Sequence, residues 1–225
     1  DGQMLFDSTQ TWNKKEWKID EVVSTTLARY AHDPFIVVGI HNIGAARHSE
    51  YFPQQPFLSL PEAVQQQLYQ LERAPGVPLF AGAVYSDNYL RFLVTELKPY
   101  IDQHFATDPA REATFIMGSS MGGLISWYAQ SRYPQVFGGA AALSTHWPGV
   151  FQQDDNPVPA AFFAYMRQKL PEPASHKLYF DYGTATLDAW YPPLQAQADA
   201  IMASQGYNGD NWQTLRFDGA EHSEN

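Results

Sequence analysis

A chain of 225 residues with 44% hydrophobic and 17% charged residues can bury one sizeable core and is not disordered. Its net charge of −10 argues against nucleic acid and against an anionic membrane surface as partners. The absence of cysteine excludes disulfides, a thiolate nucleophile and thiolate-held metals but leaves the compartment open, and no run is long and apolar enough to span a bilayer.

Residues 1–17 read as irregular, anchored by Phe6, Trp12 and Trp17. Ile19, Val22, Val23, Thr26, Leu27 and Tyr30 recur at helical spacing, which predicts a helix over 18–31, broken at Asp33-Pro34. Residues 35–40, FIVVGI, predict a parallel strand buried on both faces. A long loop from 41 to 78 follows, carrying Arg47, Glu50 and Tyr51 and a helix at 60–71. A second long helix is expected at 86–104, kinked by Pro99 near its end. After a turn at 107–111 come strands ending at the elbow described below and at 137–143, 177–181 and 212–217, with helices at 122–132, 159–169 and 192–205. Residues 144–175 form an irregular insertion rich in Pro, Gln and aromatics. Strand and helix alternate throughout, which predicts an α/β domain over 1–225 with a mostly parallel central sheet flanked by helices. Ligands in such sheets bind beyond the carboxyl ends of the strands.

The stretch 113–124, ATFIMGSSMGGL, organises the rest. An apolar, β-branched run enters Gly118-Ser119-Ser120-Met121-Gly122, which fits G-x-S-x-G, and an apolar helical stretch leaves it. This is a nucleophile elbow: a tight turn lifts the Ser120 hydroxyl above the sheet, and flanking glycines avoid collisions that a Cβ would cause. Ser120 then sits at a helix N-terminus, and the N–H of Met121 points at a developing oxyanion.

A serine hydroxyl needs a base, and the base needs an orienting carboxylate; in this fold they follow the serine in the order acid, then histidine. Only His146, His176 and His222 lie after Ser120. His222, in the loop beyond the last strand, is placed to reach back over the sheet. His146 follows the strand after the elbow and is expected to line the pocket. His176 precedes a strand, at the opposite end of the sheet, and is expected to be exposed. Asp188, in the loop Tyr182-Gly-Thr-Ala-Thr-Leu-Asp188, and Asp181, at the strand end, compete for the acid, and the loop position favours Asp188. Asp218 is more remote, and Glu221 points away from its neighbour. The second oxyanion donor is either the N–H of Gln3 or a group in the loop after residues 35–40, through His41 or Asn42.

Several stretches together resemble the "putative esterase" family of α/β-hydrolases: Asp-Gly-Gln-Met-Leu-Phe-Asp at 1–7, Gly-Ser-Ser-Met-Gly-Gly at 118–123, Tyr-Pro-Gln-Val-Phe-Gly-Gly at 133–139, Asp-Tyr-Gly-Thr at 181–184 with Asp188, and Gly-Ala-Glu-His at 219–222. That family includes siderophore (enterochelin-type) esterases, feruloyl and acetyl-xylan esterases, S-formylglutathione hydrolase and the mycolyltransferase antigens. The resemblance implies an α/β-hydrolase fold whose first two or three strands would precede Asp1. It supports Gln3 as oxyanion donor, because the family's Asp-Gly pair closes the strand that carries it, and Asp188 as the acid, because the family acid follows a Gly-Thr pair. Arg47 and Glu50-Tyr51 fall where the family has Arg followed by Glu-Tyr near the cleft rim, and are expected to shape the site.

These readings converge on a serine carboxylic-ester hydrolase with Ser120, Asp188 and His222 as catalytic groups, Met121 and Gln3 around the oxyanion, and no metal or organic cofactor. The expected partner is a small-molecule ester, siderophore- or carbohydrate-linked. Arg47, His146, Trp147 and Tyr89 are the candidate substrate-binding residues, with Tyr85, Trp190 and Tyr191 as further aromatics that either stack on a phenolic acid or sugar or belong to the core. The competing readings are an acyltransferase of the same family and a non-catalytic binding module on the same fold. The oligomeric state is left open; a periplasmic or secreted location is favoured, with any signal peptide preceding residue 1.

Overall fold

The computed structural model describes residues 1–11, 13–30, 34–151 and 155–223, and of Tyr30 the backbone only. The chain forms two compact units, Asp1–Gly44 with Ser223, and Ala45–His222.

In the first unit, a short 3-10 turn over Gly2–Met4 precedes helix α1 (Ile19–Tyr30). Gly2 donates its N–H to the Ile40 carbonyl at 2.6 Å. The approach is so close that a Cβ on Gly2 would stand 2.3 Å from the Gly39 backbone. Met4 is buried here, whereas Phe6 is exposed and does not anchor the segment; Trp12, Ala31 and Asp33 lie outside the described residues. The helix expected at 18–31 is present, but Val22 on its apolar stripe faces solvent. The strand expected at 35–40 is not formed: the segment joins no ladder, and Phe35, Ile36, Val37 and Val38 are all exposed. A parallel strand exists only through hydrogen bonds to neighbours, and no other strand is assigned among the described residues of this unit.

The second unit begins with three short helices, α2 (Arg47–Tyr51), α3 (Gln54–Leu58) and α4 (Glu62–Tyr69), followed by a small hairpin of β1 (Glu72–Ala74) and β2 (Val77–Pro78). The next helix runs as α5 (Ser86–Phe92), a π-helical turn (Leu93–Leu97) and α6 (Lys98–His104). The expected disturbance at Pro99 takes this form: proline lacks the N–H that would close an α turn, and the wider π turn sits just before it.

Four parallel strands follow in the spatial order β3 (Phe115–Ser119), β4 (Gly139–Leu143), β5 (Lys177–Gly183) and β6 (Trp212–Phe217). They are connected by α7 (Met121–Arg132), α8 (Val158–Lys169) and α9 (Pro192–Ser204). Each crossover steps one strand further in the same direction, so right-handed connections place all three helices on one face. That face holds the core. Ala140, Ala142, Leu178 and Phe180 point into it and are buried, together with Trp127, Phe162 and Phe163 from the helices. Almost every residue of α7 is buried, as expected of a helix without a polar side. The opposite face of the sheet carries Phe115, Met117 and Phe217, all about half exposed.

The register aligns Ser119, Leu143, Asp181 and Leu215 across the sheet. The segments leaving the four strands therefore emerge at one end, and these segments carry Ser120, Ser144, Asp188 and His222.

Candidate active site

Ser120 holds φ 59° and ψ −119°, a conformation that L-residues avoid and that the elbow imposes. Its N–H donates to the Leu143 carbonyl on β4 at 2.9 Å, and its carbonyl accepts from His146 N–H at 3.2 Å and from Leu124 N–H at 3.2 Å. A Cβ on Gly118 would stand 2.6 Å from the Gly122 carbonyl oxygen, so the turn requires glycine there. The expectation of a collision at both flanks holds at Gly118 alone, because a Cβ on Gly122 meets nothing within 4 Å. The second tight position is Gly123, whose Cβ would press on Thr145 and the Leu143 carbonyl at 3.0 and 3.1 Å. Met121 opens α7 and is buried; its N–H belongs to the first helical turn, which has no acceptor within the helix.

Two loops are laced together at the ends of β5 and β6. The Ala220 carbonyl accepts the N–H groups of Thr184 and Ala185 at 3.1 and 3.0 Å. Gly219 N–H donates to the Thr184 hydroxyl at 2.8 Å, and His222 N–H donates to the Thr186 hydroxyl at 2.9 Å. Gly183 lies under this junction, where a Cβ would stand 2.3 Å from the Ala220 oxygen. The lacing brings His222 Nδ1 to 2.5 Å from Asp188 Oδ1. Asp188 is fully buried, and its other oxygen accepts from the Ser144 hydroxyl and from Gly183 N–H, each at 2.7 Å. Burial opposes its ionisation, but the hydrogen bonds from His222, Ser144 and Gly183 outweigh that and hold the carboxyl below the usual carboxylate range. Asp181 moves the other way: burial, with the charge of Asp188 adding to it, raises it despite the bond from Ser144 N–H. Of the two candidate acids, Asp188 alone is both ionised by its surroundings and bonded to the imidazole. Asp218 pairs instead with Arg216 at 2.7 Å, and Glu221 is exposed.

His146 is buried and lies beside Ser120, to whose carbonyl its backbone N–H donates. Its Nε2 faces the Val150 carbonyl at 3.1 Å and its Nδ1 faces the Tyr191 hydroxyl at 2.8 Å. Burial, reinforced by His48, His222 and Arg47, pushes its pKa down to about 3, so the ring is neutral near pH 7. A carbonyl only accepts, so Nε2 carries the proton and Tyr191 donates to Nδ1. The Tyr191 ring meets that of His222 edge to face at 5.8 Å. Arg47 lies with its guanidinium 5.4 Å from the Tyr51 ring centre, and the Tyr51 and Tyr89 rings meet at a tilt with centres 5.4 Å apart.

The remaining candidates divide. Trp147 is a core residue: it is fully buried against Trp127, Phe163 and Phe180, and its indole N–H donates to Gln195 at 2.7 Å, so it presents no face to a ligand. His176, expected to be exposed, is buried at the start of β5, with Nε2 2.8 Å from the Pro134 carbonyl. Tyr85, Tyr89 and Trp190 are half-buried. Gln3 belongs to the first unit, where its side-chain oxygen accepts Asn42 N–H at 3.3 Å. Three contributors escaped the sequence reading: Ser144 on Asp188, Thr186 on His222, and the pairing of Tyr191 with His146. The first two follow strands at the ligand-binding end, which is the one signal that marked them. Among the described residues, no group of three or more acidic or histidine side chains is arranged to hold a metal, and no helix is long and apolar enough to cross a membrane.

A parallel sheet with helical crossovers, an elbow serine in a left-handed conformation and a carboxylate-bound histidine after the last strand define an α/β-hydrolase fold. The chain belongs to the "Putative esterase" family, whose model matches residues 1–213. Similar solved structures include a ferulic acid esterase (20% identity over 60% of this chain and 55% of that chain, TM-score 0.48). Others are an enterobactin esterase from Shigella flexneri (17%, 60% and 34%, TM-score 0.46) and a ferulic acid esterase from Anaeromyces mucronatus (19%, 61% and 48%, TM-score 0.48). The matches span from about a third to just over half the length of these structures. No curated protein matches the chain.

Proposed function

We propose that the protein is a serine carboxylic-ester hydrolase in which Ser120, His222 and Asp188 act together. The observation that carries this reading is the 2.5 Å bond between His222 and the buried Asp188, at the sheet end where Ser120 is held in its strained turn. Asp188 fixes the imidazole with Nδ1–H toward it, which leaves Nε2 to take the Ser120 proton. Ser120 attacks the ester carbonyl, and the Met121 N–H stabilises the tetrahedral oxyanion. The imidazolium then protonates the leaving alcohol, and water, activated in the same way, releases the acid from Ser120.

The substrate in this proposal is a small ester of the kind found in siderophore or carbohydrate conjugates. Arg47 and Tyr89 are assigned to its binding, on the packing of the Arg47 guanidinium over the Tyr51 ring and of Tyr51 against Tyr89. The test is hydrolysis by the intact protein of p-nitrophenyl acetate and butyrate, methyl ferulate, acetylated xylan and a catecholate trilactone. Replacing Ser120 by Ala is expected to abolish turnover of every active ester and labelling by a fluorophosphonate, with the circular dichroism unchanged. Turnover that survives the substitution refutes the proposal.

A further inference from the structure

We infer that Ser144 is a positioning residue for the Asp188–His222 pair, holding the carboxylate through its hydroxyl; this rests on the esterase reading above. Asp188 sits on a short 3-10 segment (Thr186–Trp190) rather than on a strand, so the segment alone does not fix its carboxylate. Its orientation is set from outside. Ser144 and Gly183 N–H both donate to Oδ2 at 2.7 Å, which turns Oδ1 toward His222. Of these two donors, Gly183 comes from the same strand and loop as the carboxylate. Ser144 comes from the end of β4, the strand that also accepts the Ser120 N–H through Leu143. The serine thereby ties the acid to the elbow's own neighbour.

Ser144 is itself tightly placed. Its N–H donates to the Asp181 carbonyl at 2.9 Å and to Asp181 Oδ1 at 3.0 Å. Its φ is 39°, a left-handed value that glycine adopts without strain and serine does not. Glycine carries no hydroxyl, however, and here the hydroxyl reaches the buried carboxylate. The other polar groups around that carboxylate are Asp181 on β5, Tyr191 at the end of the 3-10 segment and His222 beyond β6.

The test compares the intact wild-type protein with Ser144→Ala and Ser144→Gly. Both variants lose the donor, but only glycine relieves the backbone. We expect kcat on p-nitrophenyl acetate to fall about 10- to 100-fold in both, the loss typical of a hydrogen bond to a charged group, with KM little changed. Thermal stability of the glycine variant should match or exceed that of the alanine variant. The downfield proton resonance of His222 Nδ1–H should shift in both. Full activity in both variants beside an active wild type overturns the inference, as does activity lost in alanine and restored in glycine. If the wild type hydrolyses no ester and resists fluorophosphonate, the esterase reading fails by itself. The resonance then still decides the contact: a shift supports it, and an unmoved signal overturns it.

Discussion

The Tyr191 hydroxyl donates to Nδ1 of His146 at 2.8 Å, and the Tyr191 ring meets that of His222 edge to face at 5.8 Å. The direction of the hydrogen bond follows from the far side of the His146 ring, where Nε2 must donate to the Val150 carbonyl. A neutral, buried histidine therefore sets the direction of the hydroxyl of a tyrosine that packs against His222. Tyr191→Phe would leave His146 Nδ1 buried without a donor. The expected cost is about 1–3 kcal/mol, read from urea unfolding at pH 7. An unchanged midpoint would mean that water or another group replaces the phenol at no cost.

Acid should weaken the fold through two buried histidines. Burial pushes His146 down to about 3 and His48 to about 4, against 6.5 for the unfolded chain. Below 6.5 the unfolded state takes up protons that the folded state refuses, so stability is full above that pH and falls as the pH drops toward 4. The slope is about 1.4 kcal/mol per pH unit for each fully refusing group. His146→Asn keeps an acceptor near the Nδ1 position and cannot take a proton in this range. Its loss of stability between pH 7 and pH 5 should be smaller than that of the wild type. Equal losses would place the acid sensitivity elsewhere.

Gly183→Ala tests the lacing of the two loops. The added methyl would stand 2.3 Å from the Ala220 oxygen, in the segment that delivers His222. Relief requires the His222 loop to lift, which breaks the bonds that Ala220 accepts from Thr184 and Ala185. The expected cost is about 1–3 kcal/mol of stability, with ester hydrolysis falling much further because His222 and Asp188 separate. Activity that falls only in proportion to the folded fraction would show that the pair tolerates the shift.

Trp147→Ala separates a core role from a substrate role. Truncating a fully buried tryptophan is expected to cost about 3–5 kcal/mol and to strand Gln195, its hydrogen-bond acceptor. The KM of the protein that still folds should not change. A raised KM with unchanged stability would return Trp147 to the binding site.

The elements nearest the site were legible from the chain because short-range sterics and periodicity specify them. Gly118 must be glycine for the elbow to close, and the expected helices at 122–132, 159–169 and 192–205 match α7, α8 and α9 to within about one residue. The four strands from β3 to β6 were equally readable, as apolar runs bounded by turn residues. That Asp188 rather than Asp181 bonds His222 was also readable, since a loop carboxylate can turn toward a histidine leaving the next strand.

Tertiary structure decided what depends on partners distant in sequence. Residues 35–40 have the composition of a buried strand and yet join no ladder, because pairing is a property of neighbours and not of the segment. His176 and Trp147 looked like exposed or binding residues by type, and both are buried through contacts with residues more than ten positions away. Ser144, 44 positions from Asp188, and Tyr191, 45 positions from His146, carry no motif; they act because parallel register brings the ends of β4 and β5 side by side. Local sequence sets the conformation of a turn through clashes that each residue carries with it. Which donor reaches a buried carboxylate is settled only when the strands have paired.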